Sequence, residues 1–200
     1  MTRRTVLAWA TAITLVAVTV VTVAVVARDD RAPVEESVDV GFARDMAVHH
    51  AQGVEIAELI RGRTDDHRIA ALAADIALRQ QAQIGRMQGW LALWGHDQTA
   101  VGPRMAWMGR PRDGLMPGMA TRAELNALAD AEGDDAERRF LELMIGHHVA
   151  GVEMAQVAAA EAQVTDVRRL AAAMAAGQRA EIDAMRQLLV EGRPPEAASA

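Results

Sequence analysis

The strongest constraint on this chain is a segment that occurs twice, 98 residues apart, around a His-His pair. The first copy carries Phe42, Met46, His49, His50, Gly53, Val54, Glu55 and Ala57, and the second carries Phe140, Met144, His147, His148, Gly151, Val152, Glu153 and Ala155. The same offset, without a gap, aligns 69–91 with 167–189, where Leu72, Gln80, Ile84, Met87 and Leu91 meet Leu170, Gln178, Ile182, Met185 and Leu189. A register kept over that length means that one supersecondary unit has been copied, so the fold must hold two equivalent halves.

Each half reads as a pair of helices. Phe42, Met46, His49, Gly53, Ile56 and Ile60 step by four and three, the stripe of a helix packed in a bundle. The spacing predicts helix one over about 38–62, ended by Gly62, and helix two from a Thr64 N-cap to about 94. Residues 95–120 hold five glycines and three prolines and read as a crossover; Thr121 and Glu124 then form a capping box for a short helix. Asp134 with Glu137 predicts a second box for helix three (about 135–163), and Thr165 a cap for helix four (about 166–191). Two hairpins joined by one long connection describe an all-α four-helix bundle, halves 38–94 and 135–191 around a crossover 95–134, with no sheet. A flexible tail is expected at 192–200.

Ahead of the bundle, Arg3 and Arg4 precede an uncharged stretch from Thr5 to Ala27. As a helix it spans about 34 Å, enough for a bilayer core. It predicts a signal anchor over 1–28, or a signal peptide cut after Val25-Val26-Ala27, then a tether at 29–37. With positive charge in front, the remainder belongs outside the cytoplasm, single-pass or secreted. A net charge of −6 offers no basic face to nucleic acid. The absence of cysteine removes disulfides, thiolate metal sites and thiol nucleophiles. No phosphate loop or hydrolase motif is present, and no catalysis is expected. Self-association remains open.

Four of the six histidines lie in the duplicated unit. His49 and His147 fall on the apolar stripe, and His50 and His148 about 100° further round, towards the flank. Antiparallel pairing puts His49 level with Gln80, and His147 level with 177–181. Such a layer is either a hydrogen-bonded network that fixes register or a metal site. The Glu-x-x-His pairs of ferritin-like di-iron proteins are missing, which argues against an iron oxidase. Methionine is abundant instead, ten besides Met1, with Met105, Met108, Met116 and Met119 in the crossover. Thioether with imidazole suits copper, Cu(I) especially. The core methionines also serve as gap-fillers. Glu55 and Glu153 fall off the stripe and read as partners for arginine, and Trp90, Trp94 and Trp107 as apolar anchors of the crossover.

The unit Phe-x-x-x-Met-x-x-His-His-x-x-Gly-Val-Glu-Met-Ala, followed by Gln-x-x-Glu-Ile-x-x-Met, resembles the domain of unknown function 305 family, as does Leu115-Met116-Pro117-Gly118-Met119 before Phe140. The resemblance covers about 38–191 and implies a ferritin-like helical bundle in secreted or membrane-anchored bacterial proteins. Some relatives are methionine-rich copper-binding proteins, which points to His49, His50, His147 and His148 with Met46 and Met144, and to Met116 and Met119. Met154 joins this set, but its equivalent is Ile56, and Gln83 stands where the second copy has Glu181. The expected protein binds copper through His and Met outside the cytoplasm, as buffer or carrier. The alternative is a metal-free structural or partner-binding module.

Overall fold

The computed structural model describes residues 32–99 and 102–192, and those from Pro33 on form a compact unit of their own. Among the described residues there are five α-helices and no strand: α1 (Val38–Ile60), α2 (His67–Trp94), α3 (Arg122–Asp130), α4 (Gly133–Glu161) and α5 (Thr165–Glu191). The expected membrane segment (1–28) and the tail beyond Gly192 lie outside those residues. Among the described residues no helix is long and apolar enough to cross a membrane.

The helix ends are set by local chemistry, though not always by the residues that the sequence suggested. Ser37 caps α1 by accepting from the Val40 N–H, and Gly95, at φ 78°, closes α2 in the left-handed conformation that glycine adopts freely. Thr121 and Glu124 make the expected capping box on α3. Helix α1 stops at Ile60, before Gly62. Three expected caps are corrected. Asp66, not Thr64, caps α2, while the Thr64 hydroxyl accepts from the Asp66 N–H and donates to Glu137 Oε1 at 2.6 Å. Glu137 is therefore spent across the hairpins, and α4 begins at Gly133 without a side-chain cap. Thr165 is the first residue of α5 rather than its cap, because a residue from the other half supplies the acceptor. Fully buried Asp39 of α1 accepts from the Gln163 and Val164 N–H groups at 3.0 and 2.8 Å.

That carboxylate ties one hairpin to the other through charge-assisted bonds. Asp39→Ala is expected to cost about 2–4 kcal/mol, since two part-buried N–H groups lose a fully buried charged acceptor. A chemical-denaturation midpoint unchanged by the substitution would refute this.

Helix α1 packs on α2, α4 on α5, and the hairpins meet along α1 and α4. The crossover binds to this inner pair. Trp107 enters where Gly41 leaves no side chain, stands edge-on to Phe42 with ring centroids 5.9 Å apart, and donates its indole N–H to buried Asp45. It is the anchor expected of it; Trp90 and Trp94 instead stack on each other. Glu55 pairs with Arg122 and Glu153 with Arg110, so both duplicated glutamates fasten the bundle's outer surface to the connection, as arginine partners.

Apolar side chains form two clusters. One holds Phe42, Met46, Met87 and Leu91 with Met154, Val167 and Met174. The other holds Ile56, Ile60 and Ile76 with Phe140, Met144 and Met185. Equivalent residues of the two copies (Phe42 and Phe140, Met46 and Met144, Met87 and Met185) fall in opposite clusters, as an approximate two-fold axis across the bundle requires. Between the clusters lies a polar layer.

Candidate metal centre

The layer is built from duplicated positions: His49, His50 and Gly53 on α1, Gln80 and Gln83 on α2, His147, His148 and Gly151 on α4, and Gln178 and Glu181 on α5. All four imidazoles are 0% exposed. His49 and His147 sit where the inner helices meet, stacked at 3.9 Å between centroids with planes 28° apart. His49 turns to the other hairpin, while Gln80 and the His147 ring occupy the space that a side chain at Gly53 would need. Gln178 fills the equivalent space at Gly151.

His50 and His148 are not on the flank. Each inner helix packs against both its hairpin partner and the other inner helix, so the buried arc is wide enough to take two adjacent residues. His50 Nε2 lies 2.8 Å from Gln83 Oε1, and His148 Nε2 lies 2.8 Å from Glu181 Oε2. His49 Nε2 lies 3.2 Å from the Pro117 carbonyl, and His147 Nε2 lies 2.8 Å from the His49 carbonyl. A ring nitrogen facing a carbonyl or carboxylate oxygen must carry the proton and donate it. With the Gln83 amide oriented as observed, all four rings then donate from Nε2. All four Nδ1 atoms are buried and without a partner. Burial holds three of the rings neutral: His49 is pushed down to about 4, His50 to about 3, and His147 well below the ordinary value.

The remaining buried orphans also belong to this layer, namely both polar atoms of the Gln80 and Gln178 amides. Glu181 Oε1 lies 3.0 Å from Arg79 Nη1, an ion pair without hydrogen-bond alignment.

The methionines are distributed unevenly. Met46, Met87, Met105, Met116, Met154 and Met174 are buried in the first cluster, with Met108 and Met119 packed against it. Only Met144 and Met185 lie in the second. Of the expected ligands, Met46, Met116, Met119 and Met154 thus share one side of the imidazole layer and Met144 lies on the other. The crossover methionines are core and core lining, since Trp107 and the Gln52–Ala120 bonds at 2.9 and 2.6 Å hold that segment down.

The donors fit a soft cation in kind: bare imidazole nitrogens, each with its opposite N–H already committed to an acceptor, and thioethers beside them. They do not form a ready cage. Among the described residues no three His, Asp or Glu side chains gather as a metal ion would need.

Sequence reasoning missed Arg79, Gly177, and the buried carboxylates Asp39 and Asp45. Arg79 and Gly177 do have a signal, because they occupy equivalent places in the two copies and differ.

A helical-hairpin bundle with a buried histidine layer is the class that fold and site define. The chain belongs to the family described as domain of unknown function (DUF305), which matches residues 39–189. No curated protein is detectably similar to it. Among solved structures, a DUF305 protein of Streptomyces coelicolor, described as a candidate secreted protein, is 45% identical, with a TM-score of 0.76 over 80% of this chain and 96% of that one. A DUF305 fragment from Deinococcus radiodurans is 31% identical, with a TM-score of 0.64 over 77% and 96%. CopM in its Cu(I)-bound form is 26% identical, with a TM-score of 0.59 over 78% and 98%, and CopM structures with Cu(II) and silver are similar too.

Proposed function

We propose that this protein binds a soft metal cation outside the cytoplasm, copper foremost, as a buffer or carrier rather than an enzyme. The observation that carries the reading is the set of four fully buried imidazoles whose Nδ1 atoms have no partner, next to a cluster rich in thioethers. Unsatisfied buried polar atoms are costly, and their concentration in one duplicated layer is what a ligand site would leave in the absence of its ligand. The copper- and silver-bound forms of CopM support the choice of metal, and the Streptomyces relative supports export. His49, His50, His147 and His148 would supply nitrogen, and Met46, Met116, Met119, Met144 and Met154 sulfur. The cation is cargo, held without any change in covalent bonding.

The rival is a metal-free packing or partner-binding module, favoured by the lack of a three-residue cage. The two separate by metal counting on residues 32–200 under reducing conditions with Cu(I) or Ag(I). Stoichiometric metal is expected in the native protein and a clear loss after His147→Ala with His148→Ala. Near-zero metal in both would end the copper reading.

A further inference from the structure

The polar layer is shielded on one side and nearly open on the other. On the α1–α4 side the crossover covers it, with the Pro117 carbonyl on His49 and Gln52 bonded to Ala120. On the opposite side α2 and α5 face each other across a groove. A small cavity of about 10 Å³, room for a single water, lies there between Gln80, Gln83, Met174, Gly177 and Gln178. The amides of Gln80 and Gln178, each nine-tenths buried or more, line it with no protein partner.

The two copies depart from each other here in a complementary way. Arg79 stands where the second copy has Gly177, and Gln83 where it has Glu181. Those two departures make one contact. The Arg79 guanidinium reaches from α2 across Gly177, where even a Cβ would lie 3.3 Å from Nη1, and pairs with Glu181 on α5 at 3.0 Å. Glu181 in turn accepts from His148 at 2.8 Å. Arg79 is half exposed and Glu181 nearly buried, so the pair straddles the boundary between solvent and the layer.

We infer that the α2–α5 groove is the port to the buried imidazoles, and that the Arg79–Glu181 ion pair is its latch, the guanidinium standing in for a cation at the Glu181 carboxylate. Gly177 provides the space that the guanidinium occupies. Beside it, also between α2 and α5, Arg169 pairs with Asp166 and leaves Arg86 as net positive charge, and at the cavity the Arg79 guanidinium adds to what a free cation meets. As a route for a cation the port rests on the metal-binding reading; as a latch over the layer it does not.

Two measurements on residues 32–200 keep those apart. The first uses no metal: ethoxycarbonylation of the layer histidines by diethyl pyrocarbonate, which releases ethanol and carbon dioxide, with exposed His67 as internal reference. The reagent is neutral, and Arg79→Gln, which leaves the Glu181 carboxylate on His148, reports opening alone. Arg79→Gln and Glu181→Gln are each expected to raise the layer's rate by about fivefold, the size of effect a partly exposed ion pair controls, while Arg122→Gln, which frees Glu55 on the crossover side, leaves it unchanged. The second follows the association rate of Ag(I) alone by tryptophan fluorescence. Arg79→Gln is expected to speed it and Glu181→Gln to slow it, because the carboxylate attracts what the guanidinium repels. Melting curves of each variant show whether the bundle is intact. Unchanged ethoxycarbonylation in both latch variants overturns the latch whatever silver does. Faster ethoxycarbonylation in Arg79→Gln with no silver bound by the native protein leaves the latch standing and removes the metal reading.

Discussion

Acidifying the metal-free protein from pH 6.5 to 4.5 is expected to lower its stability steeply, and to unfold it before most carboxylates titrate. Burial depresses His49 to about 4 and His50 to about 3, and pushes His147 down as well. An imidazole whose folded value lies below its unfolded value of about 6.5 refuses a proton that the unfolded chain accepts. Its contribution is therefore complete above pH 6.5 and lost as pH falls towards the folded value. Each such group costs up to about 1.4 kcal/mol per pH unit, so three together approach roughly 4 kcal/mol per unit in a protein whose whole stability is on the order of 5–15 kcal/mol. The carboxylates held low by arginine or helix N–H groups, such as Glu35 and Glu124, start from 4.5 and act below this window. Urea midpoints at pH 7.5, 6.0 and 5.0 should drop progressively, and His49→Gln should flatten the slope. A midpoint constant down to pH 4.5 would mean that the imidazoles are not sealed from water.

Gly118→Ala is expected to be the most damaging of the small substitutions. Gly118 has φ 74°, and a Cβ there would lie 2.5 Å from the Gly146 carbonyl oxygen, 2.7 Å from Ala150 Cβ and 3.1 Å from His147 Cα. None of these is the free end of a flexible side chain, so the crossover itself must lift. Left-handed strain of about 1–2 kcal/mol and overpacking of similar size give a loss of about 3 kcal/mol. The melting temperature should fall by roughly 6–12 °C. Lifting Gly118 also draws the Pro117 carbonyl from His49, so metal uptake should change with it. Gly114→Ala is the control: its φ of 95° carries the strain, but nothing lies within 4 Å of its Cβ. Equal losses at both glycines would show that backbone conformation, not the close approach of the crossover to α4, sets the cost.

The duplicated stripe was readable because helical periodicity is a property of one helix at a time. It located α1, α2, α4 and α5, placed His49 and His147 inside, and put Glu55 and Glu153 on the surface beside arginine. The caps were less readable. Thr64 and Thr165 look like caps by composition, yet Asp66 lies nearer in one case and Asp39 reaches from another hairpin in the other. Periodicity alone turns His50 and His148 towards the flank, because a single helix has no record of how many neighbours it will have.

What the chain alone settled was its repeat, its helices and the residue types in the polar layer, all consequences of spacing along a 3.6-residue period. What required the folded bundle was which nitrogen of each imidazole is bound, which methionines share a side, and that Arg79 finds Glu181 across Gly177. Those contacts join residues far apart in the chain. Their distances follow from how the two hairpins and the crossover pack, and local periodicity carries no information about that packing.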